Sequence, residues 1–388
     1  MLHRISALVL LIAAGAACSQ APEPIAAPPR ATDAAGDPLP EGAVARMGTL
    51  RWRHGGPVHF VGLVAEGREV VSASLDGQIH VWEAATGKEL RRWRWYQPQA
   101  FDDSGLFGAN TPVRSIVLSP DRRLLAASTS DSRVQIWNLQ GDAVRALGDK
   151  QGSVFHGANG IAFAPDGKTL ATRGPDHVVR LWDLQTGKET GRYSAPADVE
   201  QRGPVYFYGS IGNTLAYSPD GKLLAAMNSS NTESNKGVVT LYDVESGKEL
   251  HRIEGGERSM SGRLAFGPGV LAVAWGNRET KLYDPASGKE LRQLGEAQED
   301  VIIHALVFSP DGKTLATRAA RSTPTIRLWD VATGKVLRES GDLAAGEQDN
   351  VFLRTGPGSS SLTVDFAPDG KRIADATGGR VVRLWNLE

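Results

Sequence analysis

The 388-residue chain has one cysteine, Cys18. A single thiol supports neither an intrachain disulfide framework nor a multi-cysteine zinc site. An excess of charge of one sign is also lacking. The 43 Lys+Arg and 44 Asp+Glu leave a formal net charge of −1. Nucleic-acid binding draws on basic surface that displaces counterions, so no nucleic-acid partner is expected. The apolar run Ile5 to Ala14 is well short of the roughly 20 residues that a membrane-spanning helix needs. Catalytic signatures are scarce. The eight His (3, 54, 59, 80, 156, 177, 251 and 304) show no paired helical spacing for a metal. There is no Gly-x-Ser-x-Gly elbow and no Gly-rich phosphate loop opening a helix. Asp-Gly pairs occur without the alternating carboxylates and distal Glu of a calcium loop. No catalytic residue, metal or cofactor is therefore expected. What the chain does have is 41% hydrophobic residues, 44 Gly, 21 Pro and 9 Trp, enough for a core cut by many turns.

The N-terminus reads as an address. Met1 to Arg4 is weakly basic, Ile5 to Ala14 is apolar, and Gly15-Ala16-Ala17 is small. This is the layout of a secretory signal. The small residues before the unique Cys18 resemble the cleavage site of bacterial lipoprotein signals. That resemblance implies a lipid-bearing Cys18 as the mature N-terminus. Gly15 departs from it, standing where the family usually has an aliphatic residue. Ordinary cleavage at Ala14 and Ala16, giving a soluble periplasmic or secreted product, is the alternative. Ser19, in place of the Asp that resembles an inner-membrane retention signal, implies the outer membrane. Residues 18–43 are rich in Ala and Pro and read as an extended tether between the signal, 1–17, and a folded domain, 44–388.

The rest of the chain repeats one unit. Aromatic residues recur at Trp82, Trp137, Trp182, Tyr242, Tyr283, Trp329 and Trp385. Each sits at the end of a short β-branched run such as Val178-Val179-Arg180-Leu181-Trp182. After the first six comes a turn, most often Thr-Gly-Lys or Ser-Gly-Lys. Before most of them lies a Pro-Asp-Gly turn, as at 165–167, 219–221, 310–312 and 368–370. Pro fixes φ, Asp caps locally, and Gly supplies positive φ. Four short strands in about 45 residues is the size of one propeller blade.

Trp182-Asp183, Trp329-Asp330 and Tyr242-Asp243, with the variants Trp82-Glu83, Trp137-Asn138 and Trp385-Asn386, resemble the tryptophan–aspartate (WD) repeat family. The resemblance covers residues 46 to 388 and implies an all-β, seven-bladed propeller. The family's structural hydrogen-bond tetrad is matched by His54, Ser72, Asp76 and Trp82. Asp131 with Trp137, and Thr172 with Asp176 and Trp182, match parts of it. The other repeats have no Asp six residues before the aromatic, so packing alone is expected to hold them. The last run, 381–387, corresponds to a third strand. Residues 44–53, ending Leu50-Arg51-Trp52-Arg53, resemble the outer strand Leu90-Arg91-Arg92-Trp93. They are expected to supply the fourth strand of the last blade and close the ring.

In the family, first-to-second and third-to-fourth strand turns share one face, and the remaining links share the other. The short Pro-Asp-Gly and Gly-Lys turns then fall on the first face and the long insertions on the second. The insertions carry Trp95, Tyr96, Phe101, Phe107, Tyr206, Phe207, Tyr208 and Phe352. Aromatics on long loops of a rigid scaffold are typical interface anchors. Folding back to seal the ring's mouth is the alternative for them. The expected function is a monomeric, non-catalytic scaffold that binds a protein partner from a lipid anchor in the cell envelope. Two alternatives stay open. One is a quinoprotein-like propeller with a cofactor, since Asp183–Lys188 and Asp330–Lys335 fit its Asp-x-x-Thr-Gly-Lys stretch. The other is an envelope-assembly scaffold lipoprotein.

Overall fold

A computed structural model describes residues 52–56, 58–74, 76–94, 113–129, 133–148, 160–174, 176–194, 214–229, 236–256, 259, 262–275, 279–295, 302–320, 325–340, 364–376 and 382–387. Within these, 27 strands form seven antiparallel sheets, six of four strands and one of three. Taking the sheets as blades in chain order, blade 1 comprises Val58–Val64, Glu69–Ser74, Gln78–Glu83 and Glu89–Arg94. Blade 2 begins with Val113–Leu118 and blade 3 with Gly160–Phe163. Blades 4, 5 and 6 begin with Leu215–Tyr217, Gly262–Gly267 and Ile302–Phe308. Blade 7 comprises Val364–Phe366, Arg372–Ala376 and Val382–Asn386. Among the described residues no helix is long and apolar enough to cross a membrane.

The core lies between blades. Seven apolar clusters each join two neighbouring blades, from Phe60 and Val71 with Ile116 and Leu125 for blades 1 and 2 round to blades 7 and 1. The last of these sets Ala374, Ala376 and Val382 against Val58, Leu63 and Val70. A seven-bladed ring needs seven such seams, so this seventh cluster closes it. Second strands are apolar on both sides because each is covered on both faces. Val270–Trp275 in blade 5 is buried along its whole length. Fourth strands are mostly exposed or partly covered, as edge strands are.

The expected turn chemistry is present. Gly167, Gly221, Gly312 and Gly370 have φ between 66 and 73°, which side chains with a Cβ rarely adopt. In blade 2 the same place is taken by Arg122 at φ 56°. The acidic residue after the repeat aromatic caps the next turn: Thr186 N–H and Oγ1–H both donate to Asp183 Oδ1, at 2.6 and 2.7 Å. Ser246 does the same to Asp243, at 2.8 and 2.5 Å. These donors hold both carboxyls below the usual Asp range. The Asp of the Trp-Asp dipeptide is thus a turn residue facing solvent.

Each four-stranded blade also bulges at its aromatic. Val81 pairs with Arg91 but Trp82 pairs with Glu89, which leaves Leu90 unpaired, and the other five repeat the shift. The extra residue projects outward. Leu90, Val144, Leu250, Leu291 and Leu337 are the bulged residues of blades 1, 2, 4, 5 and 6, and all are exposed large aliphatics. A bulge twists an edge strand away from regular pairing, a common protection against edge-to-edge association.

Ring closure at the described end of the 44–53 segment follows the expected pattern. The N–H of Val382, in the last strand of blade 7, donates to the carbonyl of Trp52 at 3.1 Å. A second sign comes from the outer turns. The turn glycines 141, 187, 247 and 288 pack against Trp93, Arg145, Tyr193 and His251, each on the fourth strand of the preceding blade. In blade 1 the equivalent Gly87 packs against Trp52. Trp52 therefore occupies the place of a fourth-strand residue of blade 7. Residues 44–51 lie outside the described residues.

Candidate functional site

The aromatics expected to contact a partner, Trp95, Tyr96, Phe101, Phe107, Tyr206, Phe207, Tyr208 and Phe352, all lie outside the described residues, as does Cys18. What the structure defines is the scaffold from which those segments leave. The links within 95–112, 195–213 and 341–363 all join a fourth strand to the next blade's first strand. Antiparallel order puts these links at one end of every sheet and all first-to-second and third-to-fourth turns at the other. The short-turn end is tightly built. The turn glycines 221, 312 and 370 approach Pro165, Pro268 and Pro310 of the preceding blade. The long-link end carries the variable chain length.

The central channel holds a cavity of about 420 Å³ lined by first strands and turns of blades 2 to 6. Val117, Ile161, Leu215, Leu264 and Leu306 make its wall. Among the described residues that line it, Ser309 alone bears a hydroxyl and none has a titratable side chain.

Polar chemistry concentrates instead in ties between blades, most of which sequence reasoning missed. Arg122 Nη1 donates to the Leu63 carbonyl of blade 1 and, at 2.5 Å, to Asp365 Oδ2 of blade 7. Asp365 Oδ2 also accepts the Leu63 N–H at 2.8 Å. One guanidinium on blade 2 thereby joins three blades. Arg318 Nε of blade 6 donates to Asp375 Oδ1 of blade 7 at 2.6 Å, and the two side chains are 0% and 1% exposed. Burial pushes the Asp375 carboxyl up and the Arg318 guanidinium down, and their mutual attraction opposes both shifts. Arg173 of blade 3 donates to Asn228 Oδ1 of blade 4 at 2.6 Å and contacts His177 Nδ1. Burial and then the Arg173 charge push His177 down to about 4. Arg263 of blade 5 reaches the His304 carbonyl of blade 6 at 3.1 Å, and burial lowers it to about 10. The signal for these ties was available only as Arg, Asp and Asn within otherwise apolar first and second strands, and as Arg122 in the turn between them in blade 2.

The tetrad assigned from sequence is assembled in blade 1. Trp82 Nε1–H donates to Ser72 Oγ at 2.7 Å, and His54 Nε2 lies 2.7 Å from the same oxygen. Asp76 Oδ2 accepts the Gly55 N–H at 2.8 Å and stands 4.0 Å from His54 Nδ1. His80, which the sequence did not single out, stacks on Trp82 with centroids 4.9 Å apart. Its Nδ1 meets Glu89 Oε2 at 2.9 Å. Burial, then the neighbouring His80 and His59, push His54 down to about 2, so it is neutral. The His80 hydrogen bond is the largest influence holding the Glu89 carboxyl below its usual range.

The tetrad survives only in part elsewhere. Trp182 Nε1–H donates to Thr172 Oγ1 at 2.8 Å, but Asp176 pairs with Arg180 at 2.5 Å. Asp131 lies outside the described residues. Blade 6 corrects the expectation of packing alone: Trp329 Nε1–H donates to Thr317 Oγ1 at 2.8 Å. The hydroxyl–indole bond persists there without the Asp, because both partners sit on paired strands and need no loop. The repeat aromatics Trp82, Trp137, Tyr242, Tyr283 and Trp329 are buried, while Trp182 and Trp385 are partly so.

Comparison with known proteins agrees with this geometry. The WD40 family model (WD domain, G-beta repeat) matches residues 104–138, 149–183 and 288–330. WD repeat and SOCS box-containing protein 1 of Xenopus tropicalis is 30% identical over 132 residues, 32% of this chain and 26% of that protein. The chain thus matches about a quarter of that relative's length. Guanine nucleotide-binding protein subunit beta of Solanum tuberosum is 25% identical over 307 residues, 68% of this chain and 78% of that protein. The Nicotiana tabacum protein of the same name is likewise 25% identical, over 68% of this chain and 79% of its own length.

Proposed function

We propose that this seven-bladed propeller with WD40 repeats is a non-catalytic protein-interaction scaffold, exported and held at the outer membrane by a lipid on Cys18. The observation that carries the reading is the inequality of the two ends of the ring. One end is closed down to short capped turns, with glycines seated on the neighbouring blade's prolines. From the other leave the long links 95–112, 195–213 and 341–363. A rigid ring that varies its chain length at one end only is built to present loops. Those links contain Trp95, Tyr96, Phe101, Phe107, Tyr206, Phe207, Tyr208 and Phe352. Aromatics of this kind supply most of the binding energy where they anchor an interface.

The relatives support the general reading. Two of the three named above carry "subunit" in their names, and a subunit acts through its partners. The described polar groups point the same way. Several of the shifted ones are spent on holding blades together, as with Arg318–Asp375 and Arg173–Asn228.

The test is crosslinking in the intact cell envelope, comparing the wild type with a variant carrying alanine at Trp95, Tyr96, Tyr206 and Phe352. A partner captured by the wild type and lost from an equally abundant, folded variant supports the reading. Identical partners in both would overturn it. Cys18→Ala tests the anchor in the same cells: the protein is expected to leave the membrane fraction, and an unchanged fraction would contradict lipidation.

A further inference from the structure

We propose that the outer strand of blade 1, Glu89–Arg94, docks on the anionic phospholipid surface of the membrane that holds the lipid on Cys18. The choice of that surface rests on the lipidation proposed above.

Composition singles this strand out. It carries three Arg and one Glu, whereas the described fourth strands of blades 2 to 6 carry one Arg each. Two of those are matched on their own strand, Arg192 by Glu189 at 2.8 Å and Arg252 by Glu249 at 3.1 Å. In blade 1 the matching falls short. Glu69 takes Arg91 at 2.5 Å. Glu89 lies 3.4 Å from Arg92, but its other oxygen meets His80 Nδ1 at 2.9 Å. Among the described residues Arg94 has no ion pair, and it is exposed.

The alternation of a strand gathers the surplus on one face. Arg91 and Trp93 turn to blade 2, where Arg91 Nε donates to the Leu139 carbonyl at 3.0 Å and Trp93 packs on Gly141. Leu90, Arg92 and Arg94 turn the other way and are exposed. Leu90 is 42% exposed and the Arg92 side chain 61%. Cations for headgroup phosphates beside an aliphatic for the acyl boundary are what an interfacial segment needs.

The place of this face agrees with its composition. Trp52 packs on Gly87, in the turn that leads into the strand, and its ring lies 6.0 Å from that of Trp82. Arg53 follows Trp52 and Lys88 follows Gly87, and both are exposed. They extend the basic surface at the point where the chain enters the ring. The 33 residues between Cys18 and Trp52 span at most about 120 Å, so the anchor keeps this edge near its own bilayer. A negative surface potential strengthens binding about five-fold for each Lys or Arg beside it. A basic edge next to the point of entry gives the anchored ring a defined side toward the bilayer. An acidic protein would also complement the charge; the entry of the chain beside the patch favours the bilayer.

The experiment uses the chain with its signal removed and Cys18→Ser, residues 18–388, so that no acyl chain contributes. It is sedimented with vesicles of phosphatidylcholine alone, or of phosphatidylcholine mixed equally with phosphatidylglycerol. Binding is expected to the mixed vesicles only, at about 0.1 M salt, and is expected to vanish near 1 M, where charges are screened within about 3 Å. Arg92→Gln with Arg94→Gln should weaken it about 25-fold, five-fold for each Arg. Lys335→Gln with Arg338→Gln, the same loss of charge from exposed residues of blade 6, should change it by less than about two-fold. Both double variants alter exposed residues and should melt as the parent chain does. No binding to the mixed vesicles, equal binding to both vesicle types, or equal losses in the two double variants would each overturn the docking surface. The anchor is read separately by the Cys18→Ala fractionation, so vesicle binding without lipidation would leave the basic edge standing and sink only the anchor.

Discussion

Asp375→Ala is the perturbation that most directly separates the two ways a propeller can hold its blades together. The Asp375 carboxylate accepts from Arg318 Nε at 2.6 Å, and neither side chain has more than 1% exposure. Among the described residues, Arg318 Nη1 and Nη2 are also buried without a hydrogen-bond partner. Removing Asp375 would leave a buried guanidinium without the carboxylate that pairs with it. Breaking one side of such a pair typically costs about 3–5 kcal/mol. Unfolding entropy near 2.1 cal/mol/K per residue over the ~340-residue ring gives roughly 1.4 °C per kcal/mol, so the melting temperature should fall by about 4–7 °C. Replacing both partners, Arg318→Met with Asp375→Leu, removes the two desolvation penalties together. It should return stability to near or above the wild-type value. Urea denaturation of the wild type, Arg318→Met, Asp375→Leu and the double variant gives the coupling energy directly, provided the m-values agree. A single variant within about 1 kcal/mol of wild type would refute the reasoning, as would a double variant no better than Asp375→Ala.

Two further outcomes follow from the same ties. Arg122→Gly removes a non-glycine residue from φ 56°, a relief of roughly 1–2 kcal/mol. It also removes charge-assisted bonds to Asp365 and the Leu63 carbonyl. Bonds of that type contribute about 1.5–3 kcal/mol each, so the loss should win and the variant should denature at lower urea; equal or greater stability would contradict the three-blade tie. Acid should also loosen blades 3 and 4. His177 is lowered from 6.5 to about 4, so below pH 6.5 the unfolded chain binds a proton that the folded chain refuses. Its contribution is whole above pH 6.5 and is lost as pH falls toward 4, at about 1.4 kcal/mol per pH unit. His177 has φ 59°, a backbone that Asn tolerates. The pH slope of stability between 6.5 and 4 should therefore be shallower in His177→Asn by one proton. Parallel slopes would show that His177 does not stay neutral in the fold.

What could be read from the sequence was whatever repeats. Seven aromatics and their turns were enough for seven sheets, because each local signal, Pro-Asp-Gly or Asp-x-x-Gly-Lys, acts within one hairpin. Closure was legible for the same reason: Trp52 looked like Trp93, and it occupies the matching place against a turn glycine. Contacts across the ring were not legible. Arg122 and Asp365 are 243 residues apart in sequence, and Arg318 and Asp375 are 57 apart. No local pattern marks either pair. Blade 6 kept its Trp329–Thr317 bond without the Asp that the pattern required. His80 went unnoticed because a single His in a strand carries no spacing signal. Only the fold sets it beside His54 and Asp76.

The measurement that tests the central claim most directly is quantitative crosslinking in the cell envelope, wild type against the variant with alanine at Trp95, Tyr96, Tyr206 and Phe352, at matched abundance and with matched melting curves. A partner-binding scaffold predicts a protein crosslinked to the wild type and lost from the variant. The same crosslinked proteins in the same yield from both would contradict it.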